Sequence, residues 1–443
     1  MKVELAGHYT LRRLVLSSIP MIAMMIVTSV YSIVDGYFVS NFAGSTEFAA
    51  LNIVWPALAL ISAVGLMIGT GGSALVSKTL GEGDIDKADS IFTLLIHISI
   101  IIGLVFTVLL FIFMKPAVVA LGAEGDMIPL AVNYGRIVVL AMPGFILQMA
   151  FQSFYMTAEK PQLGTIMSII CGCVNIALDA FFILVCGWGL MGAATGTAIA
   201  LALGGIYPLA YFSSKRNTTH LQFVKIRGID WKALVKTCTN GMSEYVGNIA
   251  LNVVSIGYNL QLMKYIGENG VSAYGIIMYV GFIFAAVFIG YNLCVSQVIA
   301  FNFGAGNRQE LRSLLKKSIV LIGIAGVAMT AVAELASPLL SRWFVGYDDA
   351  LCKLTEHALR VYMLSFLLAG FNMFCSAWFT ALNNGLVSAV AAFVRTLVFE
   401  LTTVFILPAI VGIDGIWYAV SVAEILAFIM SFFLIFGFRK RYL

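Results

Sequence analysis

Residues 182–192 read FILVCGWGLMG, and residues 405–415 read FILPAIVGIDG. Phe182-Ile183-Leu184 returns as Phe405-Ile406-Leu407, Gly189 as Gly412 and Gly192 as Gly415. The same shift of 223 residues lays Gly44 on Gly267, Gly81 on Gly304 and Gly83 on Gly306, and one residue of slippage lays Arg136 on Arg360. Self-similarity at one fixed offset marks a chain built from repeated units, here two.

Both copies are embedded in apolar sequence. The chain has 443 residues, of which 61% are hydrophobic and 11% charged, with mean hydropathy +0.98. Soluble domains carry about 25% charged residues, so this chain lacks the polar surface that water requires. A membrane-crossing helix needs about 20 mostly apolar residues. Runs of that length predict spans 1 to 12 at 14–41, 49–75, 91–114, 128–156, 164–185, 189–213, 240–263, 271–298, 317–340, 358–381, 388–411 and 415–438. The runs are continuous rather than alternating over ~10 residues, which excludes a barrel. Six spans per copy is an even number, so the copies share one orientation and are related by an axis along the membrane normal. The expected architecture is an all-α integral membrane protein: an N-terminal lobe at 1–213 (spans 1–6), a cytoplasmic linker at 214–235 and a C-terminal lobe at 236–443 (spans 7–12).

Basic residues in short loops mark the cytoplasmic side. With both termini inside, that side holds Lys2, Arg12, Arg13, Lys78, Lys87, Lys160, Lys215, Arg216, Lys225, Arg227, Lys232, Lys236, Arg308, Arg312, Lys316, Lys317, Arg439, Lys440 and Arg441, which is 19 of the 26 Lys and Arg. The outer loops hold Lys115, Lys264, Arg342 and Lys353. The net charge of +4 therefore reports topology rather than nucleic-acid binding, and the basic linker faces anionic lipid. Span 1 is too long for a signal-peptide core and is expected to remain in place. Four of the seven cysteines (Cys171, Cys173, Cys294, Cys375) fall inside spans and Cys238 just before one, and these read as small buried hydrophobes. The four histidines are scattered, so neither a metal site nor any other cofactor is expected.

An ionisable group deep in a span costs about 2.5–3.5 kcal/mol on insertion scales, so each one needs a reason. Asp35 and Asp179 lie about six residues, ~9 Å, inside the outer ends of spans 1 and 5. Asn175 precedes Asp179 by one helical turn, and Thr197 enters from the outer end of span 6 by ~12 Å. Four oxygen-bearing side chains thus share one depth, suited to a proton, to Na⁺, or to a purely structural hydrogen-bond network. Arg395 and Glu400 on span 11 and Glu424 on span 12 form a candidate buried charge cluster, with structural pairing the favoured reading. Glu244 falls a few residues into span 7, where hydration would suffice to explain it. Pro20 and Pro143 interrupt spans 1 and 4, where a missing N–H kinks a helix. Tyr31, Met149, Gln152 and Tyr155 are candidates for lining a substrate cavity, against the plainer alternative of packing.

Val34-Asp35-Gly36-Tyr37-Phe38-Val39, with Pro20 fifteen residues earlier, resembles span 1 of the multidrug and toxic compound extrusion (MATE) family. Gly81-Glu82-Gly83-Asp84 with its echo Gly304-Ala305-Gly306-Asn307, and Val174-Asn175-Ile176-Ala177-Leu178-Asp179, resemble that family too, most nearly its MepA/DinF-like branch. The resemblance covers essentially the whole chain. It implies a secondary antiporter of the bacterial cytoplasmic membrane, not an enzyme, that expels small organic, often cationic, compounds in exchange for H⁺ or Na⁺, with a monomer expected. It also implies that Asp35, Asn175, Asp179 and Thr197 hold the coupling cation and that Pro20 marks where span 1 bends. Unlike NorM-type members, span 10 offers Asn372 and no acid, which speaks against their second sodium site. The competing functions are a flippase for lipid-linked or metabolite substrates and, remotely, an intramembrane aspartyl protease, whose Gly-x-Gly-Asp signature is missing around both aspartates.

Overall fold

The computed structural model describes residues 4–42, 45–214, 217–226 and 228–443. Gly44, Lys2, Lys215, Arg216 and Arg227 lie outside the described residues, as do the side chains of Tyr37 and Val39.

The first half of the chain folds as α1 (Leu11–Phe42), α2 (Ser45–Gly81), α3 (Ile85–Ala120), α4 (Met127–Val139), α5 (Met142–Thr157), α6 (Pro161–Asp179) and α7 (Leu190–Ser213). The second half gives α8 (Trp231–Tyr265), α9 (Glu268–Gly304), α10 (Arg308–Val345), α11 (Asp349–Met363), α12 (Phe366–Ala381), α13 (Gly385–Phe393), α14 (Leu401–Val411), α15 (Asp414–Gly437) and a terminal turn, α16 (Arg439–Tyr442). One wide π-helical stretch continues α6 through Ala180–Val185, and another joins α13 to α14 through Val394–Glu400.

The repeated loop motifs are helix punctuation. Gly83 and Gly306 sit at φ +87° and +68°, a left-handed conformation that favours glycine. The next residue caps the following helix: the Asp84 carboxylate accepts from Lys87 N, and Asn307 Oδ1 accepts from Glu310 N, both at 3.1 Å. Gly189 and Gly412, at φ +53° and +80°, punctuate the later repeat in the same way.

Among the described residues, nine helical segments are long and apolar enough to cross a membrane alone, and α4–α5 and α11–α12 are so as pairs bent by 58° and 46°. The first bend falls just before Pro143, as a proline kink would. The second recurs at the repeat-related position with no proline, so packing also sets it. Gly103 and Gly326, again 223 residues apart, press against these bends: an added Cβ would stand 2.5 Å from Pro143 Cα and 2.9 Å from Phe366 O respectively. The twelfth crossing is α8, which starts nine residues before the expected 240 and falls short of the others in apolar character.

Both ends of the chain meet one face of the bundle. Glu310 at the start of α10 accepts from Tyr9 N at 2.9 Å and pairs with His8 at 2.7 Å, while Arg312 donates to the carbonyl of Leu443. The lobes close against each other near this same face, backbone on backbone. A Cβ on Gly81 would stand 2.0 Å from Phe301 O, and one on Gly304 1.9 Å from Lys78 O; Phe301 is Lys78 shifted by 223. Further from that face, Gly71 meets Thr237 O (2.1 Å) and Gly241 meets Met67 O (1.9 Å). Between them, Gln297 accepts from Ser77 (3.0 Å) and donates to Ser73 (2.9 Å), all three buried.

Replacing Gly241 or Gly304 with alanine should force the lobes apart and lower stability by about 1–3 kcal/mol. Gly323 on α10, with nothing within 4 Å of an added Cβ, is the control and should tolerate alanine. Thermal unfolding of the purified variants in detergent checks both, and equal melting temperatures would refute the backbone seal.

Candidate functional site: buried charges in the two lobes

In the first lobe, α1, α6 and α7 bring together Asp35, Asn175, Asp179 and Thr197, the four residues expected from shared depth. Asn175 Nδ2 donates to Thr197 Oγ1 at 3.4 Å, and Asp35 interacts with Asp179, Asn175 and Thr197. Asp179 is 0% exposed, Asn175 2% and Thr197 6%. Asp35 Oδ1, both carboxylate oxygens of Asp179 and Asn175 Oδ1 are nevertheless buried without a hydrogen-bond partner among the described residues. A buried carboxylate left in this state is expensive, so the pair calls for a neutralising cation. Proton or Na⁺ would satisfy the same oxygens.

Two further residues complete this centre. Gly196 on α7 makes room for the carboxylate, since a Cβ there would lie 2.4 Å from Asp179 Oδ1. Tyr134 on α4 is 0% exposed, its hydroxyl has no partner among the described residues, and it feels the charges of both Asp35 and Asp179. Depth counting could not find either residue: Gly196 carries no chemistry, and span 4 bends between Tyr134 and its end. The wide turn beginning at Ala180 directly follows Asp179, the kind of helix irregularity that recurs at functional sites.

Pro20 lies inside α1 without breaking it, and its carbonyl accepts a 2.6 Å hydrogen bond from Thr165 on α6. Of the candidate cavity residues, Gln152 and Tyr155 are buried, at 5% and 4% exposure, while Tyr31 and Met149 are half-buried. Tyr155 packs on Gly164, Met149 on Gly65, and Tyr31 on Gly172.

In the second lobe, Arg395 and Glu424 form a forked ion pair: Nη2 to Oε1 at 2.6 Å, Nε to Oε1 at 3.0 Å and Nε to Oε2 at 3.2 Å. Asn372 donates to Glu424 Oε2 at 2.6 Å and to its carbonyl at 2.9 Å. Glu400 is close enough to interact with both charges, yet it forms no ion pair within 4 Å among the described residues. The cluster therefore divides into a closed pair and one extra acid. Glu244 stands apart from all three, thirteen residues or ~20 Å along α8, not near its start.

Two parallel six-helix lobes with ionisable groups buried within their spans define a multi-pass membrane transporter. The MatE family model matches residues 20–181 and again residues 245–406, one match in each lobe and together most of the chain. The chain belongs to the MatE family of multidrug efflux transporters. It is 26% identical over 425 residues to Multidrug export protein MepA of Staphylococcus haemolyticus (strain JCSC1435), covering 96% of this chain and 93% of the relative. The MepA protein of Staphylococcus aureus (strain NCTC 8325 / PS 47) is 24% identical over the same shares. Among solved structures, an outward-facing multidrug resistance MATE family transporter of the MOP superfamily superposes with TM-score 0.92 at 21% identity, over 99% of this chain and 97% of that one. A MATE crystallised with MaL6 gives TM-score 0.91 at 21% identity, over 98% of each chain.

Removing one member of a buried ion pair strands the other, at about 3–5 kcal/mol, whereas removing both can be neutral. Arg395→Met should therefore destabilise the protein strongly, and Arg395→Met with Glu424→Leu should recover most of the loss. Melting temperatures of the two single variants and the double variant in detergent decide this.

Proposed function

We propose that the chain is a secondary active antiporter that exports small organic, mainly cationic, compounds by alternating access, in exchange for H⁺ or Na⁺. It would sit as a monomer in the bacterial cytoplasmic membrane with both termini inside, its lobes divided by the linker at 214–235. The observation that carries this reading is the Asp35–Asp179 pair with its unpartnered oxygens.

A ligand shifts a conformational equilibrium only by its differential affinity for the two states. A cation arriving from outside fills the Asp35–Asp179–Asn175–Thr197 centre and removes the repulsion within it. Span 1 then bends at Pro20, where a backbone hydrogen bond is already missing and the Thr165 tie can be released. That motion narrows the space beside Tyr31 and Met149, so drug and cation compete and export follows the cation gradient. The branch resemblance favours H⁺.

Ethidium efflux from cells expressing the protein tests the scheme. Asp35→Asn and Asp179→Asn should each reduce efflux at least tenfold at unchanged membrane abundance, and collapsing one cation gradient, but not the other, should stop the wild type. Full efflux by a folded Asp35→Asn variant would overturn it, and ethidium retention by the wild type would redirect the search toward lipid or metabolite substrates.

A further inference from the structure

Among the described residues, α8 is the one long helix that lacks enough apolar character to pass as a membrane span, and the reason is a stripe. At 100° per residue, Thr237 and Gly241 define the side of α8 that touches α2 of the other lobe. Glu244, Asn248, Asn252, Ser255 and Asn259 follow at steps of four, four, three and four, so they extend that same side beyond the seal. The remaining sides of the helix are accounted for. Asn240 and Ser243 bond Asn383 and Thr380 inside the second lobe, and Ile249, Val253, Ile256 and Leu260 are exposed on the side that meets lipid.

Asn252 and Asn259 are exposed, while Glu244, Asn248 and Ser255 are half-buried. Amides and a carboxylate held at such depth against hydrocarbon would be costly, so a stripe of this kind belongs beside water rather than lipid. Asn248 donates to Glu244 O at 2.9 Å and Asn252 to Asn248 O at 2.8 Å, which satisfies one N–H of each amide along the helix and, among the described residues, leaves the side-chain oxygens free to accept. Among the described residues, Glu244 forms no ion pair within 4 Å. On the facing wall, the α2 positions that continue the line of Met67 and Gly71 are Ile53, Ala57, Leu60 and Val64, all apolar and half-buried. One wall is acidic and rich in acceptors, and the other is greasy.

We infer that the α8 stripe is the substrate track of the second lobe. Glu244 stands at its floor, one turn above the Gly241 seal, as the charge anchor for amphipathic organic cations. Tyr245, next in sequence and half-buried, offers a ring face to the same cation. The track lies on the opposite lobe from Asp35 and Asp179, so substrate and coupling cation need not occupy one carboxylate. Their competition would then act through lobe closure rather than direct displacement. This inference rests on the export function proposed above and adds the residues that choose the substrate's charge.

Tetraphenylphosphonium binding to the full-length protein in lipid nanodiscs is the test, run beside ethidium efflux. Glu244→Gln should weaken binding at least tenfold, and Glu244→Asp by less than threefold. An Asn252→Cys variant should react with a cationic thiol reagent above the wild-type background, and saturating tetraphenylphosphonium should slow that reaction at least fivefold. Should Glu244→Gln fail to fold, Asn248→Leu with Asn252→Leu takes its place, with a loss of at least fivefold expected. Equal binding by wild type and a folded stripe variant, or no protection at position 252, overturns the track and leaves the antiporter standing. A wild type that neither binds tetraphenylphosphonium nor exports ethidium instead overturns the export function beneath it.

Discussion

The lobes are held together by backbone lying against backbone, and the rest of the structure depends on that contact. Gly71, Gly81, Gly241 and Gly304 stand so near a carbonyl of the opposite lobe that no Cβ fits. Without a hydrophobic driving force between helices in lipid, such close packing is what two membrane lobes have to associate with. Gly290 on α9 makes a further such approach, where a Cβ would stand 2.5 Å from Ile22 Cα on α1.

The charges are distributed unevenly over this frame. Arg395 and Glu424 neutralise each other through three close contacts, with Asn372 occupying further acceptor capacity. Such a pair is a structural solution to a buried charge. Asp35, Asp179 and Asn175 are left with unsatisfied oxygens in a buried centre, and Gly196 keeps the space for them. Glu244 is a third case, outside any ion pair among the described residues and on the side of α8 that carries Gly241.

Much of this was legible along the chain. Twelve spans, two parallel copies and the common depth of Asp35, Asn175, Asp179 and Thr197 follow from hydropathy, a 223-residue shift and a rise of ~1.5 Å per residue. The repeat even marked the glycines of the seal, since Gly81 and Gly304 were already paired as landmarks. Their role was hidden because a glycine records the absence of a side chain and not the identity of the backbone that fills its place. Gly103 and Gly326 obey the same shift and were equally available to it.

The membrane, the repeat and the ionisable residues that are costly to bury could all be read along the chain. Those are properties of composition, period and local helix geometry. Only the tertiary structure decided which face of each helix meets the other lobe. It set Glu244 one turn above the seal, whereas span counting had left it near a helix start. It also paired Arg395 with Glu424 and left Glu400 over, and it tied Pro20 to Thr165 across 145 residues. The physical reason is that a helix fixes the angles among its own side chains but not its rotation about its axis, and that rotation is settled by what packs against it.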